Sequence, residues 1–454
     1  MEGHFETAVG DYLEHDPSLS INDVTVSSSS EDIVIDIENE EKIQDCDSLK
    51  TFLWQTIPPF MLAGVGMVGA GALFDSASNQ EFMRAGALNL VPALLGLNGN
   101  LQMTLASRIS TMANLGFIDK KKQQLWALVC NVGLIQVQAI IVSLIAAIVV
   151  IVLQNMFNLS LAVWLMASAT LTLSIGSILL ASIMVLLTVV AKKFNINPDN
   201  IATPLAGTTG DVTTIYLFIK IASYFYENRE IHLTVHCLIL AILLFSTIGW
   251  IWIASRQKVT LQVLKYGWGA ILSAMCFSSG SGAILDKSTS QFDNLAKFQT
   301  VINGVGGNLV AIHSSKISTY LHKFADKGEL PANTLLTYFN PIKTFNCKNK
   351  ESIQGAILLV LTIPAQLILA FSVHFLNGLP FDWLFMALYL GASLVQVALL
   401  LYICQWLCRT FWVLKCNPDT NSIPILTALG DLFGTVLLFC AFYICSLLNL
   451  KKTM

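Results

Sequence analysis

The chain has 454 residues, of which 54% are hydrophobic and 12% are charged, whereas soluble domains carry about 25% charged residues. The formal net charge of −3 is unevenly distributed, because 14 of the 29 acidic residues fall within residues 1–50. This composition excludes a soluble globular protein and indicates no nucleic-acid partner. Residues 1–50 have the charge and low aromatic content of a disordered segment, so we predict an acidic tail there.

Eleven apolar stretches are long enough to cross a membrane, since a helix needs about 20 apolar residues for this. Two of them, 85–106 and 299–317, are the weakest because glycine and asparagine interrupt them. The predicted spans cover roughly 52–74, 85–106, 125–153, 161–190, 201–223, 233–254, 267–285, 299–317, 353–376, 382–407 and 423–448.

The distribution of basic residues predicts the orientation of these spans. With the acidic tail inside, 19 of the 26 lysines and arginines fall on the inner side, as expected for cytoplasmic segments. We therefore predict an integral membrane protein, surrounded by lipid, with a cytoplasmic N-terminus and an extracellular C-terminus in the plasma membrane.

Comparison of the chain with itself reveals an internal repeat. The stretch GLNGNLQMTLASRIST (96–111) matches GVGGNLVAIHSSKIST (304–319) at an offset of 208 residues. Further along, NPDNIATPLAGTTGD (197–211) matches NPDTNSIPILTALGD (417–431) at an offset of 220 residues. Matches in the same order and at similar offsets indicate a duplication.

A weaker third match sets GALFD (71–75) beside GAILD (282–286). Each repeat has five spans, so the extra span 233–254 is needed to give both repeats the same orientation. We predict an all-α polytopic membrane protein with about 11 transmembrane helices, whose two parallel five-helix repeats form a pseudo-dimer within one chain about an axis along the membrane normal. The predicted regions are an acidic tail (1–50), a first repeat (51–227), a linker helix (228–260) and a second repeat (261–454).

One aspartate occurs at the same place in each repeat, within a predicted span: Asp211 and Asp431. A charge at the centre of a span costs about 2.5–3.5 kcal/mol on insertion scales, and no basic residue is repeated beside these two acids. Two carboxylates facing the axis would suit a hard divalent cation with oxygen ligands, so we predict a metal site at this pair. The alternative is that each carboxylate caps a neighbouring helix or pairs with a basic residue.

Other repeated residues are expected to line the ion path. Proline frees a backbone carbonyl, threonine and asparagine offer oxygens to a hydrated ion, and glycine allows helices to approach closely. The residues concerned are Thr208, Thr427, Asn100, Asn308, Gly99, Gly307, Pro204 and Pro424.

Two further pairs of acidic residues flank the predicted spans. Asp75 and Asp286 end spans at the outer face, where we expect either an outer vestibule or ordinary solvated acids. Asp199 and Asp419 precede helices at the inner face, where they could guide ions into the path or stabilise a helix N-terminus.

Two other classes of function fit the pattern less well. An intramembrane enzyme needs a carboxylate pair sharing a proton, and no histidine base or cofactor motif accompanies Asp211 and Asp431. A carrier of organic cations needs aromatic residues around its acid, and only Tyr216 and Phe433 are near. We therefore expect a transporter and not an enzyme.

The motifs PALLGLNGNLQMTLASRIST, NPDNIATP followed by GD, VINGVGGNLVAIHSSKISTYLH and NPDTNSIPILTALGD resemble solute carrier family 41, the eukaryotic relatives of bacterial MgtE-type magnesium transporters. The resemblance extends over residues 50–450. It implies two fused MgtE-like units, which are homodimeric in bacteria, and transport of Mg²⁺ bound in the pore by Asp211 and Asp431. Some members are described as sodium-coupled exporters, which implies Na⁺ as a coupling ion. A channel-like pathway for Mg²⁺ and other divalent metals is the alternative.

Overall fold

The protein is described by a computed structural model. The predicted disordered tail lies outside the described residues, apart from its last two positions. Residues 49–58 form the first turns of the first helix, and the packing reported below concerns residues 59–454. The described residues are 49–78, 80–114, 121–194, 196–230, 232–289, 291–292, 294–330, 345, 350–378 and 382–452.

The part of the chain that the structure describes forms helices and no strands. This follows from its long apolar stretches, because only a helix satisfies all backbone polar groups within one segment in lipid. The first half holds α1 (Leu49–Ser78), α2 (Leu88–Asn114), α3 (Lys121–Leu153), α4 (Leu159–Lys193), α5 (Pro198–Glu227) and α6 (Leu233–Ala254).

After one short extra helix, the second half repeats the order of α1 to α5. That extra helix, α7, was not predicted, because its nine residues alternate polar and apolar positions and are too few to cross a membrane. Each of the eleven predicted spans falls on one of the other helices. The second half holds α7 (Lys258–Tyr266), α8 (Trp268–Thr289), α9 (Leu295–Phe324), α10 (Lys350–Asn377), α11 (Trp383–Val413) and α12 (Pro418–Lys452).

Eight of the described helices are long and apolar enough to cross a membrane, whereas α2, α5 and α9 fall short of that standard. These three helices carry polar residues that are buried inside the protein, such as Gln102, Thr208 and Asn308. Polar groups in a membrane protein pack towards neighbouring helices rather than lipid. The all-α membrane class is confirmed, and the crossing of the membrane by α2, α5 and α9 stays a prediction.

The linker helix α6 lies beside α3 and α4. Only His236 and Ala254 of its residues are buried, and the others form an apolar surface suited to lipid. Gly133 of α3 allows the close contact, because a Cβ there would lie 3.1 Å from both Ile253 Cγ2 and Trp250 O.

Two pairs of glycines bring each aspartate-bearing helix against a central helix. A Cβ on Gly210 of α5 would lie 3.3 Å from Gly99 Cα of α2. In the second repeat, a Cβ on Gly430 of α12 would lie 3.6 Å from Gly307 N of α9. These contacts join the two motifs of each repeat and place Asp211 and Asp431, which directly follow the glycines, beside the centre of the bundle.

Candidate functional site

A cavity of about 90 Å³ lies among α1, α2, α5, α8, α9 and α12. Asp211 of α5 and Asp431 of α12 both line it, although they belong to different repeats. One water occupies about 30 Å³ in the liquid, so the cavity has room for several waters or for a cation that keeps part of its hydration shell.

The Asp211 carboxylate lies against the backbone of α2. A Cβ on Gly99 would lie 3.3 Å from Asp211 Oδ1, so a larger residue at position 99 would crowd the carboxylate. No described basic side chain forms a salt bridge with Asp211. The Asp211 carboxyl group therefore lines the cavity without a basic partner among the described residues.

The Asp431 carboxylate accepts a hydrogen bond from Ser278 Oγ of α8 at 3.3 Å. Its backbone carbonyl accepts from Ser281 Oγ and Thr435 Oγ1, at 3.0 and 2.8 Å. Like Asp211, it has no salt-bridge partner among the basic residues that the structure describes. The serines and the threonine thus orient the acid without neutralising it.

Both carboxylates approach the same turn of α2. A Cβ on Gly96 would lie 3.4 Å from Asp431 Oδ2, and Gly99, three residues further on, faces Asp211. Residues three apart on a helix are neighbours on its surface. The predicted pair of aspartates therefore shares one cavity, and two close carboxylates without a basic partner favour a bound cation.

Asparagines on α2 and α9 connect the two repeats beside the cavity. Asn100 Nδ2 donates to Pro424 O at 3.5 Å, and Thr427 Oγ1 donates to Asn100 Oδ1. Asn308 Nδ2 donates to Thr208 Oγ1 at 3.3 Å. Each asparagine therefore contacts the aspartate-bearing helix of the other repeat.

The predicted lining residues divide into two groups. Thr427, together with the two repeated glycine–asparagine pairs at 99–100 and 307–308, lines the cavity. Thr208, Pro204 and Pro424 are not among the lining residues. Thr208 instead supports Asn308, and the Pro424 carbonyl supports Asn100, so these residues act on the cavity through the asparagines.

The outer acids are only partly described. Asp75 Oδ2 lies 3.4 Å from Lys297 Nζ, and the Asp75 side chain is half-exposed. The side chain of its counterpart, Asp286, lies outside the described residues, as does that of Asp199. Nothing in the described structure places these residues on the cavity.

Asp419 lies in a different environment. Its carboxylate is buried and accepts from Ser107 Oγ at 2.6 Å and from Thr111 Oγ1 at 3.0 Å, both on α2. Arg108 lies near enough to interact with it electrostatically. Asp419 therefore joins α12 to α2, a role beyond the stabilisation of its own helix terminus.

The same region contains direct contacts between repeat-related residues. Ser107 Oγ lies 2.9 Å from Ser315 Oγ, and Thr111 Oγ1 lies 3.4 Å from Thr319 Oγ1. Each residue meets the one found 208 positions later, where the sequence motifs match. We call these four residues the hydroxyl seam.

The sequence analysis did not predict five polar residues of α8 and α9 that line the cavity: Ser278, Ser281, Gln299, Thr300 and Asn303. Their counterparts in the first repeat are apolar, so these residues give no repeated signal in the sequence. Extension of the repeat alignment beyond the matching letters would have found them.

Two segments of the chain match a known protein family. The MgtE family model, described as a divalent cation transporter, matches residues 91–221 and 299–441. No solved structure matches the protein.

Three relatives cover most of the chain. Solute carrier family 41 member 2 of Mus musculus is 38% identical over 433 residues, which are 93% of this chain and 75% of the relative. Member 3 of Rattus norvegicus is 37% identical over 406 residues, which are 87% and 88%. Member 2 of Homo sapiens is 39% identical over 399 residues, which are 86% and 70%. This chain is thus an integral membrane transporter and not an enzyme, and it belongs to solute carrier family 41, within the MgtE family of divalent cation transporters.

Proposed function

We propose that the chain moves Mg²⁺ across the membrane along a path between its two repeats, with Asp211 and Asp431 binding the ion. One observation carries this proposal. The two repeat-related aspartates line the same cavity, and neither forms a salt bridge with a described basic residue. A pair of partly buried carboxylates inside a membrane protein is costly unless a cation accompanies it.

The chemistry of the cavity suits Mg²⁺ in particular. This ion prefers oxygen ligands and gives up its waters reluctantly, so transport proteins can hold it through its hydration shell. The cavity is lined by two carboxylates, three asparagines, one glutamine and several hydroxyls, and its volume of about 90 Å³ leaves room for water. No cysteine or histidine, whose ligands favour zinc or copper, is among the described residues that line it.

We further propose that the repeats are parallel and related by a two-fold axis along the membrane normal. A residue that touches its own counterpart lies close to such an axis, as in an isologous dimer interface. The hydroxyl seam contains two contacts of this kind. All cavity-lining residues except Met103 and Thr427 also form repeat-related pairs, which supports the axis through the cavity.

The excess of lysine and arginine on one predicted side supports a cytoplasmic N-terminus and an extracellular C-terminus. Residence in the plasma membrane is part of the same proposal. Sodium exchange is the coupling mode that the family resemblance suggests. A channel-like pathway is the alternative, and it differs in showing no dependence on a sodium gradient.

The test is Mg²⁺ flux into proteoliposomes that contain the full chain, measured with a trapped Mg²⁺-sensitive dye. Asp211→Asn and Asp431→Asn each remove half of the charge of the site, so we expect each to lower flux by at least about tenfold, equivalent to about 1.4 kcal/mol. A sodium gradient imposed in either direction then separates exchange from channel-like flux.

Lys220→Gln is the matched control, because this exposed residue of α5 lies outside the cavity and should leave flux near the wild-type value. Thermal unfolding shows whether each variant is folded. Wild-type flux in both folded aspartate variants would contradict the proposed site, and an absence of Mg²⁺ flux in the wild type would contradict the proposed substrate.

A further inference from the structure

The cavity stops short of one end of the two central helices. Its lining residues on these helices fall within 91–103 of α2 and 299–308 of α9. Every residue of 104–113 and of 309–315 is buried, so protein packs around both helices over the next stretch. Ten residues of helix span about 15 Å. In the proposed orientation, this closed stretch separates the cavity from the cytoplasmic side.

The end of the cavity is formed by Met103 of α2. A Cβ on Gly207 would collide with Met103 Cε, so the methionine fills the space beside α5. Met103 belongs to a buried apolar cluster with Ala206 of α5, Ala311 of α9 and Ile423 of α12. Residues of both repeats therefore close the cavity directly behind the proposed ion site.

The hydroxyl seam lies one helical turn beyond Met103. Ser107 follows Met103 by four residues, which is about 6 Å along α2, and Thr111 lies one turn further on. Ser107 Oγ lies 2.9 Å from Ser315 Oγ, and Thr111 Oγ1 lies 3.4 Å from Thr319 Oγ1. Because each residue touches its own repeat counterpart, the seam lies on the proposed two-fold axis, where a path between the repeats has to run.

The seam is polar although it is buried. Ser107 and Thr111 also donate to the Asp419 carboxylate, so three helices from both repeats meet here through hydroxyls and one acid. Apolar side chains would stabilise a permanent contact at least as well, because burying polar groups costs free energy that their hydrogen bonds only offset. Hydroxyls can exchange a hydrogen bond with each other for one with water at little net cost. The chemistry of the seam therefore suits a contact that opens and closes.

From these contacts we infer that the hydroxyl seam is the cytoplasmic gate of the ion path, that it is closed in this structure, and that α2 and α9 separate there when Mg²⁺ passes. This inference rests on the proposed function. A hydrated Mg²⁺ ion does not fit between oxygens that lie 2.9 Å apart, because the ion keeps several of its waters. Once the helices separate, the same hydroxyls face the path and bind the waters of the ion.

The test is a reversible crosslink across the seam of the full chain in proteoliposomes. Ser107→Cys combined with Ser315→Cys places two thiols where the hydroxyl oxygens lie 2.9 Å apart, and the sulfurs of a disulfide lie about 2.0 Å apart. Oxidation with copper phenanthroline should lower Mg²⁺ flux by at least about tenfold, and dithiothreitol should restore it. Mass spectrometry verifies the crosslink. Thr111→Cys combined with Thr319→Cys is a second pair and serves if the first does not fold or crosslink.

The matched control is Ser314→Cys, which changes the residue next to the seam. Ser314 Oγ lies 3.2 Å from the native Cys408 Sγ, so the same oxidation joins α9 to α11 within the second repeat and not to α2. A link inside one repeat does not oppose separation of the two repeats, so flux should stay within about twofold of the wild type. The wild type and each single variant, oxidised in the same way, report any effect of the ten native cysteines.

Undiminished flux in a crosslinked seam pair would overturn the gate and leave the proposed function intact. An equal loss of flux in oxidised Ser314→Cys would overturn it too, since flux would then depend on movement of α9 within its own repeat. A wild-type protein without Mg²⁺ flux would overturn the proposed function and this inference with it.

Discussion

Helix α12 carries two aspartates about three turns apart, and their surroundings differ. Asp419 is 1% exposed and accepts short hydrogen bonds from two hydroxyls of α2. Asp431 faces the cavity and accepts one long hydrogen bond, 3.3 Å from Ser278. Both acids are repeated in the sequence, so repetition alone does not separate them. The comparison teaches that a carboxylate saturated by protein donors holds helices together, whereas one that faces open space is available to an ion.

The largest expected effect is the loss of stability on replacing Asp419, and it tests the difference between the two aspartates. Asp419→Ala leaves the Ser107 and Thr111 hydroxyls without their acceptor and Arg108 without a nearby negative charge. Because hydrogen bonds to charged groups contribute about 1.5–3 kcal/mol each, we expect the free energy of unfolding to fall by about 2–4 kcal/mol. Asp431→Ala should cost less than Asp419→Ala, since it relieves repulsion between two carboxylates.

The measurement is denaturation of both variants in detergent without divalent cations. Asp419→Asn keeps one acceptor oxygen and should fall between the wild type and Asp419→Ala. Equal destabilisation by Asp419→Ala and Asp431→Ala would show that the two aspartates do not differ in the way that their contacts indicate.

A smaller effect concerns the glycine contacts that place the cavity acids. In Gly210→Ala the new Cβ would lie 3.3 Å from the Gly99 backbone, which has no side chain to move aside. In Gly430→Ala the nearest atom is Leu400 Cδ1, also at 3.3 Å, at the mobile end of a side chain. We expect Gly210→Ala to destabilise by about 1–3 kcal/mol and Gly430→Ala by less, as for overpacked cores. Thermal unfolding of both variants measures which one is less stable. A larger loss of stability in Gly430→Ala than in Gly210→Ala would contradict this prediction.

The smallest expected effect concerns the hydroxyl seam. Ser107→Ala removes a donor to Asp419 and a contact with Ser315. We expect this variant to lower the free energy of unfolding by about 1–2 kcal/mol. A double-mutant cycle with Asp419→Ala measures the coupling. Additive losses for Ser107→Ala and Asp419→Ala would contradict the hydrogen bond between them.

Much of the fold follows from hydropathy and from the repeat. The eleven predicted spans match eleven helices because long apolar runs have few alternatives in lipid. Helix α7 was missed since a nine-residue amphipathic segment gives no span signal. Helices α2, α5 and α9 are less apolar than the other predicted spans because their polar residues are buried against neighbouring helices and lower their hydropathy.

The candidate site was predictable only where the two repeats agree. The repeat paired Asp211 with Asp431, and the structure places both on one cavity. Gln299 and Asn303 have apolar counterparts and so left no repeated signal. The hydrogen-bond partners of Asp419 could not be predicted either, because hydrogen bonds across more than 300 positions in the chain depend on how the helices pack. Sequence spacing within a helix cannot supply that information.

Thr427 of the second repeat donates a hydrogen bond to Asn100, whereas the matching position of the first repeat is Gly207, which has no hydroxyl for Asn308. This difference has a consequence for how the two repeats can diverge. In a homodimer every substitution appears on both faces of an axial cavity at once, so the two faces stay identical. In a fused chain the two faces are formed by different residue positions, so each face can change independently. One residue can then bind a neighbour in one repeat that its counterpart lacks in the other, and the two halves can specialise without a second gene.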